Sequence, residues 1–421
     1  MFKDCYLKKV FFKTFGCRTN QFDTQIMISQ LNRYEIVDSE EDADIIVVNS
    51  CTVTNGADSG VRSYINQVER KKKDAKIFLT GCGVHTKGKE LFKSNKVQGV
   101  FGHSEKENIV RFLKLDKPFY EIGNLEHIDS TIVEQFVGRS RAFIKIQEGC
   151  DFRCSYCIIP YVRGNARSLD ESLILEQVKR LAENGFSEFI LTGTNVGSYG
   201  KDKRSSIAKL LKRMSLIRGV RRIRIGSLEP IQVTDEFKEL LSEPWMAKHL
   251  HIALQHTSDK MLKLMNRRNQ FNSDLKLFEE IVNAGYAIGI DFIVGHPGEG
   301  EDEWSEAIKR IKLLPLTHIH IFNYSKRDKT PSSTMKEQVS KDVAKVRHKE
   351  LKSIIESKNY AFRRSIEKPL EVLVESKKDN LYIGLDQYFN KILVKSNQNL
   401  KGKWLTLKTI EVKEEGNFAK L

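Results

Sequence analysis

Three cysteines, Cys150, Cys154 and Cys157, stand at C-x-x-x-C-x-x-C spacing in the stretch EGCDFRCSYCIIPYVRG. The whole chain has only seven cysteines in 421 residues, so this local density asks for a chemical cause. Clustered thiolates bind soft metals, either zinc or an iron–sulfur cluster. Three thiolates leave one iron of a 4Fe–4S cube open to an outside ligand. A zinc knuckle would need a remote His as its fourth ligand, and a C-x-x-C redox pair, Cys154 with Cys157, would leave Cys150 without a role. A second set is scattered: Cys17 follows VFFKTFG, Cys51 follows IIVVNS and Cys82 follows IFLTG. Each lies just beyond a strand-like run. In an open parallel sheet such ends share one edge, where ligands bind. The alternative is three small buried hydrophobes, as free Cys often is. Cys5 precedes its strand and reads as structural.

The elements that must position these residues follow from periodicity. Over residues 1–115, strand-like runs (KKVFFKTFG, ADIIVVNS, AKIFLTG) alternate with helical ones (DTQIMISQLNRY, SGVRSYINQVERKKK), which predicts an open parallel α/β sheet. Residues 116–138 show no period and read as a connector. From 139 to 366 the alternation resumes. Six strands (AFIKIQ, EFILTG, RRIRIGS, HLHIALQ, AIGIDFIVG, HIHIFNYS) are separated by helices and followed by a long charged helix. Six such units predict an open, partial β/α barrel, with Cys150, Cys154 and Cys157 at the C-terminal mouth of its first strand. Residues 367–421 alternate apolar and polar positions between turn signals and predict a small antiparallel β-barrel.

Composition bounds the partners. With 40% hydrophobic and 30% charged residues the chain is globular, and no apolar run reaches the roughly 18–20 residues of a membrane span. Asp4, Lys8, Lys9 and Lys13 interrupt what a signal peptide would keep apolar, so a cytoplasmic location with reduced thiols is expected. The formal charge of +15 makes nucleic acid the first partner to consider, with a solvated cationic surface as the plainer reading.

The cysteine triplet after the first strand of a six-unit barrel resembles the radical S-adenosylmethionine (SAM) superfamily. That resemblance implies SAM on the open iron and a 5′-deoxyadenosyl radical. It also implies cofactor contacts from Tyr156, from Gly193 and Asn195 near the methionine end, from Ser227 and Glu229 near the ribose, and from Val294 and Gly295 near the adenine. Two three-cysteine sets followed by a small β-barrel resemble the methylthiotransferase family over essentially the whole chain. The resemblance implies two 4Fe–4S clusters, with Cys17, Cys51 and Cys82 holding the second, and a C-terminal TRAM-like RNA-binding module. It divides the chain into a methylthiotransferase domain (1–115), a linker (116–138), a radical-SAM domain (139–366) and the TRAM-like domain (367–421). KTFGCRTNQFDT, NSCTVTNGAD and RIGSLEP look most like the branch acting on N6-threonylcarbamoyladenosine at position 37 of tRNA, which implies a 2-methylthio product. Other branches act on isopentenyladenosine in tRNA or on a ribosomal-protein aspartate. Lys326 and Lys329 stand where the family usually has Pro and Gly, and GCGVHTKG around Cys82 is an atypical flank. Arg163, Arg167 and the basic tail are expected phosphate contacts, and a flavodoxin or ferredoxin is the expected electron donor. A rival of another class is a non-catalytic RNA-binding metal protein.

Overall fold

The computed structural model describes residues 7–136 and 139–421; Cys5 lies outside the described residues. In the N-terminal region β1 (Lys9–Thr14), β2 (Glu35–Ile36), β3 (Ile45–Ser50), β4 (Lys76–Gly81), β5 (Gly99–Phe101) and β6 (Phe119–Glu121) form one wholly parallel sheet, ordered β2-β1-β3-β4-β5-β6. Every residue of β3 is buried because helices cover both faces. Ile46 and Val48 pack with Val61, Ile65 and Val68 of the helix Asn55–Lys71. Ile45 and Val47 pack with Met27 of the helix Arg18–Ser29 and Phe112 of the helix Ile109–Leu113. Strand order reverses between β1 and β3, and such a reversal opens a crevice at the strands' C-terminal ends. Within the stretch read as a connector, Phe119–Glu121 instead supplies the sixth strand, too short at three residues to show alternation. Val133 and Phe136 from that stretch pack into the central core.

The central region follows the predicted order: β7 (Ala142–Glu148), a two-residue β8 (Arg167–Ser168), β9 (Glu188–Gly193), β10 (Arg222–Ile225), β11 (His249–Gln255), β12 (Ala287–Val294) and β13 (His318–Asn323). β7, β9 and β10 pair in parallel, as do β11, β12 and β13. Two single parallel bridges, Ile223–Met246 and Leu228–Ile252, join the halves. Antiparallel β8 caps the outer edge of β7. Alternate residues explain the mixed composition of these strands. Ile144, Ile223, Ile252 and Ile290 join the core shared with the outer helices. Residues of the opposite parity, among them Lys145, Glu188, Arg222, Arg224, His249 and His251, are polar and buried.

The tail, β14 (Leu370–Lys378), β15 (Leu381–Leu385), β16 (Lys391–Lys395), β17 (Trp404–Leu407), β18 (Glu411–Lys413) and β19 (Gly416–Lys420), forms a curled six-stranded sheet. It is antiparallel except where β16 meets β19. The tail seals the barrel floor. Phe389 stacks on His249 with centroids 5.0 Å apart, and Arg222 Nη1 donates to the Glu371 carbonyl at 2.7 Å. Arg224 donates to the Asp386 carbonyl, and Trp404 Nε1 to Ser187 Oγ at 2.8 Å. No helix among the described residues is long and apolar enough to cross a membrane.

Candidate functional site

The three N-terminal cysteines come to one edge of the sheet because each follows a strand that ends there. Cys17 caps the helix Arg18–Ser29, reached through Gly16, whose φ of 97° turns the chain out of β1. A Cβ on Gly16 would lie 2.9 Å from Cys51 Sγ, so only glycine lets these two segments approach so closely. Asn20, buried one turn into that helix, fixes the edge. Its Nδ2 donates to the carbonyls of Phe15 and Ser50 at 2.8 and 3.0 Å, and Cys82 Sγ lies 3.8 Å from its Oδ1. Cys51 and Cys82 are buried while Cys17 is exposed.

The other triplet occupies the loop between β7 and the short helix Ile159–Arg163. Gly149 (φ 71°) starts the loop, and a Cβ there would meet the Asn165 carbonyl oxygen at 1.9 Å. Cys150 N–H donates to Gly164 O at 3.0 Å and Cys157 N–H to Cys154 O at 3.1 Å. Ser155 ties the loop to the barrel: its N–H donates to Met265 O at 3.0 Å and its hydroxyl to Leu264 O at 2.9 Å. Asn195 Nδ2 donates to Cys150 Sγ at 3.5 Å and Arg267 Nη1 to Cys154 Sγ at 3.6 Å. Arg267 also holds Glu229 in a two-pronged pair, 2.9 Å on one prong, while burial pushes the Glu229 carboxyl up against that pull.

The two sets approach one another through Cys82. Cys82 packs against Ile158, the residue after Cys157, and against Val162. A cleft of about 670 Å³ opens beside Cys157, lined also by Val53 and Thr54, which follow Cys51, by Tyr156, and by Asp291, Ile293, Phe322 and Tyr324. A second hollow, about 480 Å³, opens on the other side of the triplet between Cys154, Glu229 and Arg267. The donor sets fit soft-metal clusters on electrostatic grounds. Burial and Cys154 push the Cys157 thiol up to about 12, and burial pushes Cys82 up to about 12 against the pull of Arg163. Bare thiolates are therefore disfavoured here, and the positive charge of a coordinated metal is what would deprotonate them.

Not every expected contact meets the site. Gly193 approaches Gln147 too closely for a side chain, its Cβ position lying 2.8 Å from Gln147 O, which lets Gln147 Oε1 accept from Asn195 N–H at 2.8 Å. Ser227 Oγ donates to Asp291 Oδ2 at 3.2 Å. Val294 is buried, and Gly295 sits under the helix Lys341–Arg364, a Cβ there meeting Ala344 Cβ at 2.9 Å; the cleft wall carries Ile293 instead.

Arg163 requires a correction: it is no surface phosphate contact. Only 1% exposed, it donates through Nε to Cys82 Sγ at 3.0 Å and through Nη2 to Asn20 Oδ1 at 2.6 Å, and it pairs with Asp23 (2.8 Å) and with Glu148. Lys145 joins this sealed network, with Nζ 2.7 Å from Asp23 and 2.6 Å from Glu148. Arg167 is half-buried and donates to the carbonyls of His127, Arg163 and Asn165 at 2.7, 2.9 and 3.0 Å. Sequence reading missed Asn20, Asp23, Lys145, Glu148 and Arg267; Lys145 inside the otherwise apolar AFIKI was the available signal.

Comparison with known proteins now adds a family. Residues 9–102 match the Uncharacterized protein family UPF0004, and residues 144–311 match the Radical SAM superfamily, which implies SAM and a 4Fe–4S cluster. A Helicobacter pylori (strain J99) protein named "Putative methylthiotransferase" is 55% identical over 98% of this chain and 100% of its own length. "Threonylcarbamoyladenosine tRNA methylthiotransferase MtaB" of Bacillus subtilis (strain 168) is 33% identical over 98% of this chain and 96% of its own. "tRNA-2-methylthio-N(6)-dimethylallyladenosine synthase" of a Hydrogenobaculum species is 32% identical over 94% and 95%. Among solved structures, the radical SAM methyltransferase TsrM of Kitasatospora setae shares the fold at a TM-score of 0.60, with 13% identity over 78% of this chain and 77% of that one. The chain belongs to the radical S-adenosylmethionine methylthiotransferase family.

Proposed function

We propose that the protein places a methylthio group on C2 of N6-threonylcarbamoyladenosine at position 37 of tRNA. The observation that carries this reading is the cleft lined by Cys157 on one side and by Val53 and Thr54, which follow Cys51, on the other, with Cys82 packed against the residue that follows Cys157. In this reading Cys150, Cys154 and Cys157 hold one 4Fe–4S cluster, and Cys17, Cys51 and Cys82 hold a second. When bound, the clusters and SAM supply the radical that removes hydrogen from C2 and the sulfur and methyl group that replace it.

The chain's own residues prepare that event. Asn195 and Arg267 donate toward Cys150 and Cys154, which steadies negative charge on those sulfurs. Ile158, Ile159, Ile293 and Phe322 give the cleft a largely apolar wall, which offers a reactive radical few polar groups to attack. Beside it lies a hollow of about 680 Å³ whose lining includes Lys87, Lys326 and Lys329 along with Asp328, a net basic surface that suits the phosphates flanking a base turned into the cleft. The relatives named for the threonylcarbamoyl and the dimethylallyl substrates align almost equally well, at 33% and 32% identity, so the choice of branch rests on the stretches KTFGCRTNQFDT, NSCTVTNGAD and RIGSLEP.

Nucleoside mass spectrometry of tRNA from a deletion strain tests the reading. Loss of 2-methylthio-N6-threonylcarbamoyladenosine is expected. Its retention, or loss of the isopentenyl product instead, overturns the substrate assignment. Anaerobic reconstitution should give about eight irons per chain and dithionite-dependent 5′-deoxyadenosine, against about one metal and no SAM cleavage for a non-catalytic RNA-binding protein. A flavodoxin or ferredoxin is the proposed reductant, testable by replacing dithionite.

A further inference from the structure

Three neighbouring strands bring His251 (β11), Asp291 (β12) and His320 (β13) together beside the cleft. Asp291 and His320 are direct partners in the parallel ladder, and His251 pairs with Gly289 two residues before Asp291. Gly289 is the gap that makes room for this group. A Cβ there would fall 2.7 Å from His251 Nδ1 and 2.9 Å from His249 Nε2. Both imidazoles converge on one oxygen: Asp291 Oδ1 lies 2.9 Å from His251 Nε2 and 3.3 Å from His320 Nδ1. All three ligand atoms lie within 4.8 Å of one another.

These separations match the edges of a coordination polyhedron. Two ligands about 2.1 Å from one ion stand about 3.0 Å apart in octahedral geometry and about 3.4 Å apart in tetrahedral geometry. Two imidazoles and one carboxylate on a single face form a set that suits divalent transition metals and leaves positions open. The open side faces the cleft, since Asp291 forms part of its wall and the His320 side chain is 57% exposed. Ser227 holds the other carboxylate oxygen at 3.2 Å, as an outer-shell donor orients a ligating carboxylate. The contrast is the acidic set Asp23, Asp129 and Glu148, equally close, where the Lys145 ammonium already supplies the cation.

We propose that His251, Asp291 and His320 bind one divalent transition-metal ion whose open positions take an anionic oxygen of the substrate. On the functional reading above, that oxygen belongs to the carboxylate of the threonylcarbamoyl substituent, which an isopentenyl group lacks. The site is then the element that selects the anionic base.

The test uses the full chain with its clusters assembled, stripped of loose metal by a chelator, equilibrated with Zn²⁺ and desalted. Wild type should retain about one zinc per chain, and Asp291→Asn and His320→Ala should lose it at least tenfold while keeping their iron. Equal zinc in wild type and both variants, or none in wild type, overturns the site. His320 is exposed, so its variant keeps the test independent of folding. Zn²⁺ should also tighten binding of a threonylcarbamoylated anticodon stem-loop about tenfold in wild type and leave an unmodified one unchanged, as linkage requires. Zinc retention without that tightening overturns the substrate role. Failure of the functional reading shows separately, as absence of methylthio product from wild type under any metal condition.

Discussion

Arg163 links the chemistry of the two halves at the scale of one side chain. It ends the helix that begins two residues after Cys157, and its guanidinium reaches Cys82, Asn20, Asp23 and Glu148. Removing one partner from such a buried network strands the others. Arg163→Met is therefore expected to lower stability by about 3–5 kcal/mol, read as a drop in urea midpoint. The pH dependence follows from the carboxyls. Burial would raise Asp23 and Glu148, but Lys145 and Arg163 overcome it and hold both below the usual carboxylate range. Groups depressed on folding stabilise above their unfolded values. Their contribution should be complete above about pH 5 and be lost as pH falls below about 4. Acid unfolding of Arg163→Met should begin at higher pH than that of wild type; coincident curves monitored by circular dichroism would contradict the network's role.

Loops decide what the residues can do at the scale of elements. Gly149 admits the Asn165 carbonyl where any side chain would collide, so Gly149→Ala should displace the Cys150 loop. Iron content after anaerobic reconstitution is expected to fall by about half while the N-terminal set stays loaded. The loop after β13 tells a different story. Arg327 is buried against Asp58 at 2.7 Å and donates to Thr52 and Asn55, both at 2.7 Å, which clamps this loop to the N-terminal sheet. Lys329 beside it sits at φ 70°, a left-handed conformation that costs a side chain about 1 kcal/mol. Lys329→Gly should therefore stabilise the fold by about that amount yet weaken RNA binding and flatten its salt dependence by about one phosphate contact. Unchanged affinity across a salt titration would remove the lysine from the RNA path.

The strands and the N-terminal sheet were legible in the sequence because periodicity and Gly-terminated runs are local signals. Cys17, Cys51 and Cys82 were legible as a group because parallel topology puts equivalent strand ends together. Arg163 was not legible, since a surface arginine and a buried one look alike until the partners Asn20 and Glu148 arrive from distant positions. The strand Phe119–Glu121 was hidden by its length, and the parallel pairing of β16 with β19 by being non-local.

The regions interlock at the scale of the whole molecule. The helix Arg18–Ser29 packs on both cores, Met27 toward its own sheet and Phe22 and Ile26 toward the barrel. The tail docks through Arg222, Arg224 and Trp404. Glu188 stands at the centre of that floor, 2.6 Å from Arg224, paired with Arg222 and 3.7 Å from Arg141. Phe389→Ala should cost about 2–3 kcal/mol, seen as a lower thermal midpoint, because it uncovers His249 and this charged floor. A chain ending at residue 366 is expected to melt earlier than full length as well as bind RNA less tightly; unchanged melting would make the tail an independent appendage.

The Phe389 plug also bears on how such chains diversify. A tail that reaches into the barrel to rest on His249 cannot be traded between lineages as a loose module. Recombination that brings in a foreign tail would leave Arg222, Arg224 and His249 facing the wrong loop. Those barrel positions and the loop around Phe389 should therefore change together or not at all, and the tail's ancestry should follow that of the barrel floor.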